Sequence, residues 1–261
     1  MITCVICDCD GTILDDKKNI DSNLLETINR LRKNGIIFTL ASGRNVHLML
    51  DIVDYLNVDV PYISDNGANI FQGKKEIVGH VMNHETTKPI FQILKDNKVP
   101  FLAYSKNKLF TYDSSEYLGV FTKSIKGKIE MFDIDQYENE EIYKITLDST
   151  NINNINELQD SINNTYKEVS FKQSESALYT IVDFKASKGN TVIELAKLLN
   201  IKPEEIMVFG DNYNDVSMFE VAGVSVSMEN SIDEIKQKTT FVAKSNNENG
   251  VSEFLNNYFK L

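Results

Sequence analysis

The chain has 261 residues with 38 acidic and 27 basic side chains, a net charge of −11, and an apolar content of 42%, which is ordinary for a globular protein and long enough for one large domain or two smaller ones. The acidic balance disfavours a nucleic-acid binder, which needs a basic footprint, but a local site can differ in sign from the whole and accept an anionic substrate. No apolar run nears the roughly 20 residues of a membrane span, and Met1-Ile2-Thr3-Cys4 lacks the basic start of a secretory leader, so a cytoplasmic protein without a membrane partner is expected.

In chain order, Ile2 to Cys7 reads as a buried strand and Ser22 to Lys33 as an amphipathic helix, with Leu24, Leu25, Ile28 and Leu31 on one face and Gly35 as its stop. Ile36 to Leu40 is the next strand, Val46 to Leu56 a helix, and Tyr62-Ile63 a short strand before Ser64-Asp65-Asn66-Gly67. This alternation predicts a parallel sheet covered by helices. It returns near the end of the chain, with a helix over Thr191 to Leu199, a strand over Ile206 to Phe209 and a helix over Val216 to Val221. Strands follow at Val224 to Met228 and Phe241 to Lys244. Between them, from about Met82 to Phe184, several runs have period-two character: Phe101 to Tyr104, Leu109 to Tyr112 and Ile142 to Thr146. Helical patterns lie around Pro89 to Leu94 and Ile152 to Ile162. The expected fold class is therefore α/β: a doubly wound, Rossmann-like parallel sheet core over 1–81 and 186–261, with an inserted α+β domain over 82–185. The aromatic residues between 101 and 121 are expected in the core of the insert.

Three polar clusters each follow an apolar strand: Asp8-Cys9-Asp10-Gly11-Thr12, Ser42-Gly43-Arg44 and Gly210-Asp211-Asn212-Tyr213-Asn214-Asp215. In a doubly wound sheet the carboxyl ends of the strands share one edge, where ligands bind, so these clusters should converge. Asp8 can present a carboxylate oxygen to phosphorus and the other to a metal, with Asp211 as a second hard ligand. Magnesium prefers such oxygens and offsets their repulsion of a phosphate dianion. Phosphoryl transfer also needs donors around the transferred group; Ser42 offers a hydroxyl, Gly43 close backbone approach, and Lys188 a cation just before the Thr191 helix. Asp10 suits a general acid that protonates the leaving oxygen and then activates water, and an intermediate on Asp8 would divide the reaction into two easier steps. Cys4, Cys7 and Cys9 lack further metal-type partners and read as small apolar residues around a strand end. His47, His80 and His84 have no triad partners at a recognisable spacing.

With these motifs in this order, the chain resembles the haloacid dehalogenase-like (HAD) superfamily, and within it the Cof-type subfamily (subclass IIB) of sugar-phosphate and flavin-nucleotide phosphatases. Ser64-Asp65-Asn66-Gly67-Ala68 and Asn249-Gly250-Val251 also fit that subfamily. The resemblance implies Asp8 as nucleophile and Asp10 as acid/base. Mg²⁺ would be held by the side chains of Asp8 and Asp211 and the backbone carbonyl of Asp10. Phosphate would be contacted by the Cys9 backbone, Ser42, Gly43, Lys188 and Asn214, with Thr12, Asp215 and Arg44 standing behind these groups. Arg44 alternatively pairs with a nearby acid. The short first gap leaves no room for a cap there, whereas the long insertion matches the subfamily's cap. One departure is Cys9, where an aliphatic residue is usual; since that position contributes its backbone N–H, little consequence is expected beyond a sensitivity to oxidation. The implied activity is a phosphatase acting on a small phosphorylated metabolite, as a monomer or small homo-oligomer. A phosphotransferase or phosphomutase shares the same residues, and a non-catalytic phosphate-binding protein is the reading from another class.

Overall fold

The computed structural model describes residues 1–106, 108–111, 129–131, 140–150, 152–174 and 177–261. The expectations for Tyr112 and for the aromatic residues after it up to 121 lie outside the described residues. The chain forms two compact units, one of Met1–Val78 with Ser187–Leu261 and the other of Gly79–Ala186. Among the described residues no helix is long and apolar enough to cross a membrane.

The first unit is built on five parallel strands. They are β1 (Cys4–Cys7), β2 (Ile37–Leu40), β12 (Ile206–Gly210), β13 (Val224–Met228) and β14 (Phe241–Ala243), in the order β14-β13-β12-β1-β2. The chain runs outward in one direction from β1 to β2 and in the other from β12 to β14. The topological switch point therefore lies between β1 and β12, which pair Cys4 with Ile206 and Cys7 with Phe209. Both faces are covered. Val5 and Cys7 belong to one core with α1 (Leu24–Lys33), α2 (Val46–Tyr55) and α8 (Gly250–Phe259). Cys4 and Ile6 belong to another with α5 (Lys188–Leu198) and α6 (Val216–Val221). That double burial is why β1 reads as an unbroken apolar run rather than an alternating one.

Several elements differ from the sequence reading, two of them next to the site. The helix expected to start at Thr191 starts at Lys188, because Ser187 caps it and accepts from the Asn190 N–H at 3.1 Å. The segment after β3 (Tyr62–Ser64) turns back to form β4 (Asn69–Gln72) and β5 (Lys75–Gly79), a three-stranded sheet that pairs Tyr62 with Phe71.

The second unit carries a six-stranded sheet in the order β10-β11-β9-β6-β7-β8. Its strands are β6 (Phe101–Ser105), β7 (Leu109–Thr111), β8 (Ile129–Met131), β9 (Ile142–Asp148), β10 (Val169–Gln173) and β11 (Leu178–Asp183). All neighbours are antiparallel except β7 and β8. α3 (His84–Asp96) and α4 (Ile155–Thr165) pack their apolar sides on Phe101, Ala103, Ile145 and Phe171. Asn83 caps α3 by accepting from the Glu85 N–H, so the helix runs back past Pro89 instead of beginning there. β9 keeps its polar–apolar alternation, yet its whole length is buried; Lys144 lies 4.1 Å above the ring of Tyr104.

Candidate active site

The segment leaving β1 is a tight turn. The Cys9 carbonyl accepts from the N–H groups of Thr12, Ile13 and Leu14 at 3.3, 3.1 and 2.9 Å. Gly11 has φ +76°, and a Cβ there would stand 2.4 Å from Asp211 Oδ2. Only glycine meets both demands. The turn thereby brings Asp8, at the end of β1, beside Asp211, at the end of β12. Thr12 Oγ1 donates to Asp211 Oδ1 at 3.2 Å, and Asn230 Nδ2 donates to the Gly11 carbonyl at 2.9 Å.

Lys188 occupies the first position of α5 and is 1% exposed. Its Nζ donates to Asp8 Oδ1 and to Asp215 Oδ1, each at 2.6 Å. Asp215 is fully buried and holds its place with its other oxygen, which accepts from the N–H groups of Asp211 and Asn212 at 2.9 and 3.0 Å. Burial pushes the Asp8 carboxyl well above the ordinary carboxylate range; Lys188 opposes this, and Asp215 and Asp211 add to it. Burial likewise works against the charge of Lys188, but Asp215 and Asp8 outweigh it and leave the ammonium more firmly protonated than a free lysine.

One oxygen from each of Asp8, Asp211 and Asp215 falls within a 4.8 Å cluster. Three carboxylates against one ammonium leave an excess of negative charge, which a cation would neutralise. The donors are hard oxygens, the chemistry that Mg²⁺ selects, so the residues present fit a divalent ion. Asp215 fits it least, since Lys188 and two backbone N–H groups already engage both of its oxygens.

Asp10 stands apart from that cluster. Arg44 grips it with two hydrogen bonds, Nε to Oδ2 at 2.6 Å and Nη2 to Oδ1 at 2.7 Å, and Lys18 Nζ adds a third at 2.7 Å. Burial opposes ionisation here, but the bonds and charges of Arg44 and then Lys18 prevail and bring the pKa down to about 2. Arg44 thus takes the acid-pairing alternative. Ser42 is buried at the end of β2, and its Oγ accepts from the Arg44 N–H at 3.1 Å. Gly43 lies against Asn66, whose Oδ1 accepts from Asn214 Nδ2 at 2.9 Å.

The structure thus brings Asp8, Lys188, Asp215, Asp211 and Thr12 into one hydrogen-bonded group, pairs Asp10 with Arg44, and links Asn214 to the side of Gly43 through Asn66. Cys9 is fully buried with its thiol pushed up to about 12 by burial, then by Asp8 and Asp10. The expected oxidation sensitivity is thereby corrected, since a shielded, protonated thiol is a poor target. Sequence reasoning assigned no role to Lys18, Asn66 or Asn230. Asn66 carried the one available signal, an Asn-Gly step that favours left-handed backbone.

Residues 5–255 match the family model described as haloacid dehalogenase-like hydrolase. The chain is 29% identical over 278 residues to the 5-amino-6-(5-phospho-D-ribitylamino)uracil phosphatase YwtE of Bacillus subtilis, covering 97% of this chain and 96% of that protein. Among solved structures, TM0651 of Thermotoga maritima is 28% identical with a TM-score of 0.82, covering 98% of this chain and 97% of that one. The subclass IIB sugar phosphatase BT4131 shares the fold at a TM-score of 0.87 and 21% identity, covering 99% of this chain and all of that one. A doubly wound core whose switch point carries paired aspartates and a buried lysine is what these relatives share a fold with, and the chain belongs to the haloacid dehalogenase-like hydrolases as a Cof-type phosphoric monoester hydrolase.

Proposed function

We propose that the protein hydrolyses a small phosphorylated metabolite through an aspartyl-phosphate intermediate on Asp8. The observation that carries this reading is Lys188, buried between Asp8 and Asp215 at 2.6 Å from each. A fully buried ammonium bridging two acids is costly to build, and it orients the Asp8 carboxylate at the switch point where ligands bind. Asp8 attacks phosphorus, the bond from phosphorus to the leaving oxygen breaks, and Asp10 gives that oxygen a proton. Water then attacks the acyl phosphate while Asp10 takes up its proton, releasing inorganic phosphate and restoring Asp8. Because Arg44 and Lys18 hold Asp10 ionised in this arrangement, protonation of the leaving group requires that grip to loosen. Ser42, Gly43, Lys188, Asn214 and the Cys9 backbone form the phosphate cradle, with Thr12 and Asp215 fixing Asp211 and Lys188. Mg²⁺ is the proposed cofactor, held by the side chains of Asp8 and Asp211 and the backbone carbonyl of Asp10, and when bound it supplies charge neutralisation and polarisation of the phosphoryl group.

The 29% identical relative named for a ribityl phosphate supports a sugar or sugar-alcohol phosphate monoester as the substrate class. A phosphate-release screen over sugar phosphates, flavin mononucleotide, pyridoxal phosphate, nucleotides and 5-amino-6-(5-phospho-D-ribitylamino)uracil tests this. Asp8→Asn should release no phosphate while keeping the wild-type circular dichroism spectrum. Near-normal turnover in Asp8→Asn, or full wild-type activity after exhaustive chelation, would overturn the assignment.

A further inference from the structure

The Ser64–Gly67 loop is a motif to which the mechanism above gives no task. Its backbone is unusual. Asp65, Asn66 and Gly67 are consecutive residues in the left-handed region, with φ of 52°, 60° and 95°. Two side-chain-bearing residues in a row accept that conformation only when their surroundings over-determine it, and such sites concentrate where function needs them. Here the surroundings are the segments of the phosphate cradle. The Asn66 N–H donates to the Ser42 carbonyl at 3.0 Å, and the Asp65 N–H to the Arg44 carbonyl at 2.9 Å. Asn66 Oδ1 accepts from Asn214 Nδ2 at 2.9 Å. A Cβ on Gly43 would lie 3.0 Å from that same Oδ1, so the Asn66 carboxamide fills the space beside residue 43. On the far side, a Cβ on Gly67 would stand 2.4 Å from the Ser187 carbonyl carbon, and the Gly67 oxygen accepts from Thr191 Oγ1 at 2.7 Å in the first turn of α5.

We infer that Asn66 is a positioning residue for the phosphate end of the substrate, locking Asn214 to the Ser42–Gly43 turn. The inference rests on the phosphatase reading above and adds to it a residue that touches no reacting atom. By accepting one N–H of Asn214, Asn66 fixes which way that amide faces and leaves its second N–H for an anion. By donating its own N–H to the Ser42 carbonyl, it sets the height of the turn that carries Ser42 and Gly43. The cradle is assembled from four segments distant in sequence, and this loop bonds or packs against three of them, those that carry Ser42 and Gly43, Asn214, and Lys188.

Asn66→Gly separates the two roles the residue has. Glycine adopts the left-handed conformation freely, so the backbone is kept and only the carboxamide is lost. Wild type, Asn66→Gly, Asn214→Ala and the double variant are compared by calorimetric titration with inorganic phosphate in excess Mg²⁺, by KM and kcat on p-nitrophenyl phosphate, and by thermal unfolding. The expected result is an Asn66→Gly protein that melts at or above the wild-type temperature and binds inorganic phosphate about tenfold more weakly, as for one lost charge-supporting hydrogen bond. Its KM should rise more than its kcat falls. Adding Asn214→Ala to it should weaken binding by less than about twofold further, the non-additivity of two groups acting as one. Unchanged phosphate affinity in Asn66→Gly, or losses that simply multiply in the double variant, would overturn the inference while leaving the phosphatase reading in place. Wild-type protein that binds no inorganic phosphate would instead overturn the phosphatase reading and this inference with it.

Discussion

Replacing Lys188 by methionine is the sharpest test of the electrostatics at the switch point. The side chain is 1% exposed, so methionine keeps its apolar stem and packing while removing only the ammonium. Two bonds of 2.6 Å to buried carboxylates are lost. At about 1.5–3 kcal/mol for a hydrogen bond to a charged group, that amounts to about 3–6 kcal/mol, and breaking a buried ion pair costs about 3–5 kcal/mol because the partners are left uncompensated. A destabilisation of about 3–5 kcal/mol is therefore expected in mildly alkaline buffer with chelator present, so that no cation replaces the ammonium. The sign of its pH dependence also follows. The Asp8 carboxyl is already raised by burial above its ordinary value of 3.8, and Lys188 is the largest influence lowering it. Without the lysine it rises further. A group whose folded pKa is raised contributes stability that is fully present below the unfolded value and is lost as pH rises through the folded one. The deficit of Lys188→Met should thus be greatest at alkaline pH and shrink as Asp8 takes up a proton on acidification. Since the chain has no tryptophan, urea unfolding followed by circular dichroism at alkaline and mildly acidic pH makes the measurement. A deficit below about 1 kcal/mol at alkaline pH, or one that grows as pH falls, would refute the reasoning.

Gly11→Ala should strain the left-handed turn by about 1–2 kcal/mol and push Asp211 aside, since the new methyl would lie 2.4 Å from its Oδ2; the Mg²⁺ concentration for half-maximal activity should rise by about 10–100-fold, and an unchanged activation curve would contradict the placement of Asp211. Arg44→Ala removes the main cause of the low Asp10 pKa, about 2 against an ordinary 3.8. A depressed carboxyl contributes stability that is present above its unfolded value and lost as pH falls through its folded one. The wild type should therefore hold about 1–2 kcal/mol more than the variant above about pH 4, discounted for partial exposure. This advantage should vanish as pH falls toward 2, and parallel acid-unfolding curves would count against the pair. Cys4, Cys7 and Cys9 are fully buried, with the Cys4 and Cys9 thiols pushed up to about 12, so a thiol reagent should label none of the three in native protein and all of them in denaturant; rapid native labelling would show that β1 opens more easily than its burial allows.

What the sequence revealed and what it withheld divide along a physical line. Asp8, Asp211 and Lys188 could be read because each follows an apolar strand or opens a helix, and because phosphoryl chemistry requires acids and a cation at such ends. The parallel core was legible for the same reason: β1 and β12 are buried on both faces and leave unbroken apolar runs. The sheet of β3, β4 and β5 was not, since Asn69–Gln72 and Lys75–Gly79 mix polar and apolar residues over short lengths. α8 escaped as well; Asn249 before it is a residue type that caps helices, but in the structure it is left-handed and makes no side-chain cap bond. The unread positions of the site form the more instructive group. Asn230 acts on the Gly11 carbonyl and Asn66 receives the Asn214 amide, partners 219 and 148 residues away. A bond to a backbone carbonyl leaves no mark on the sequence at the accepting end, because every residue type offers the same group. Asp10 shows the limit from the other direction. Its acidity could be read, but its state could not, since Arg44 and Lys18 reach it from different segments and decide whether it holds a proton. Residue identity here announces which chemistry is available, while the hydrogen bonds from distant segments decide which protonation state and which orientation that chemistry starts from.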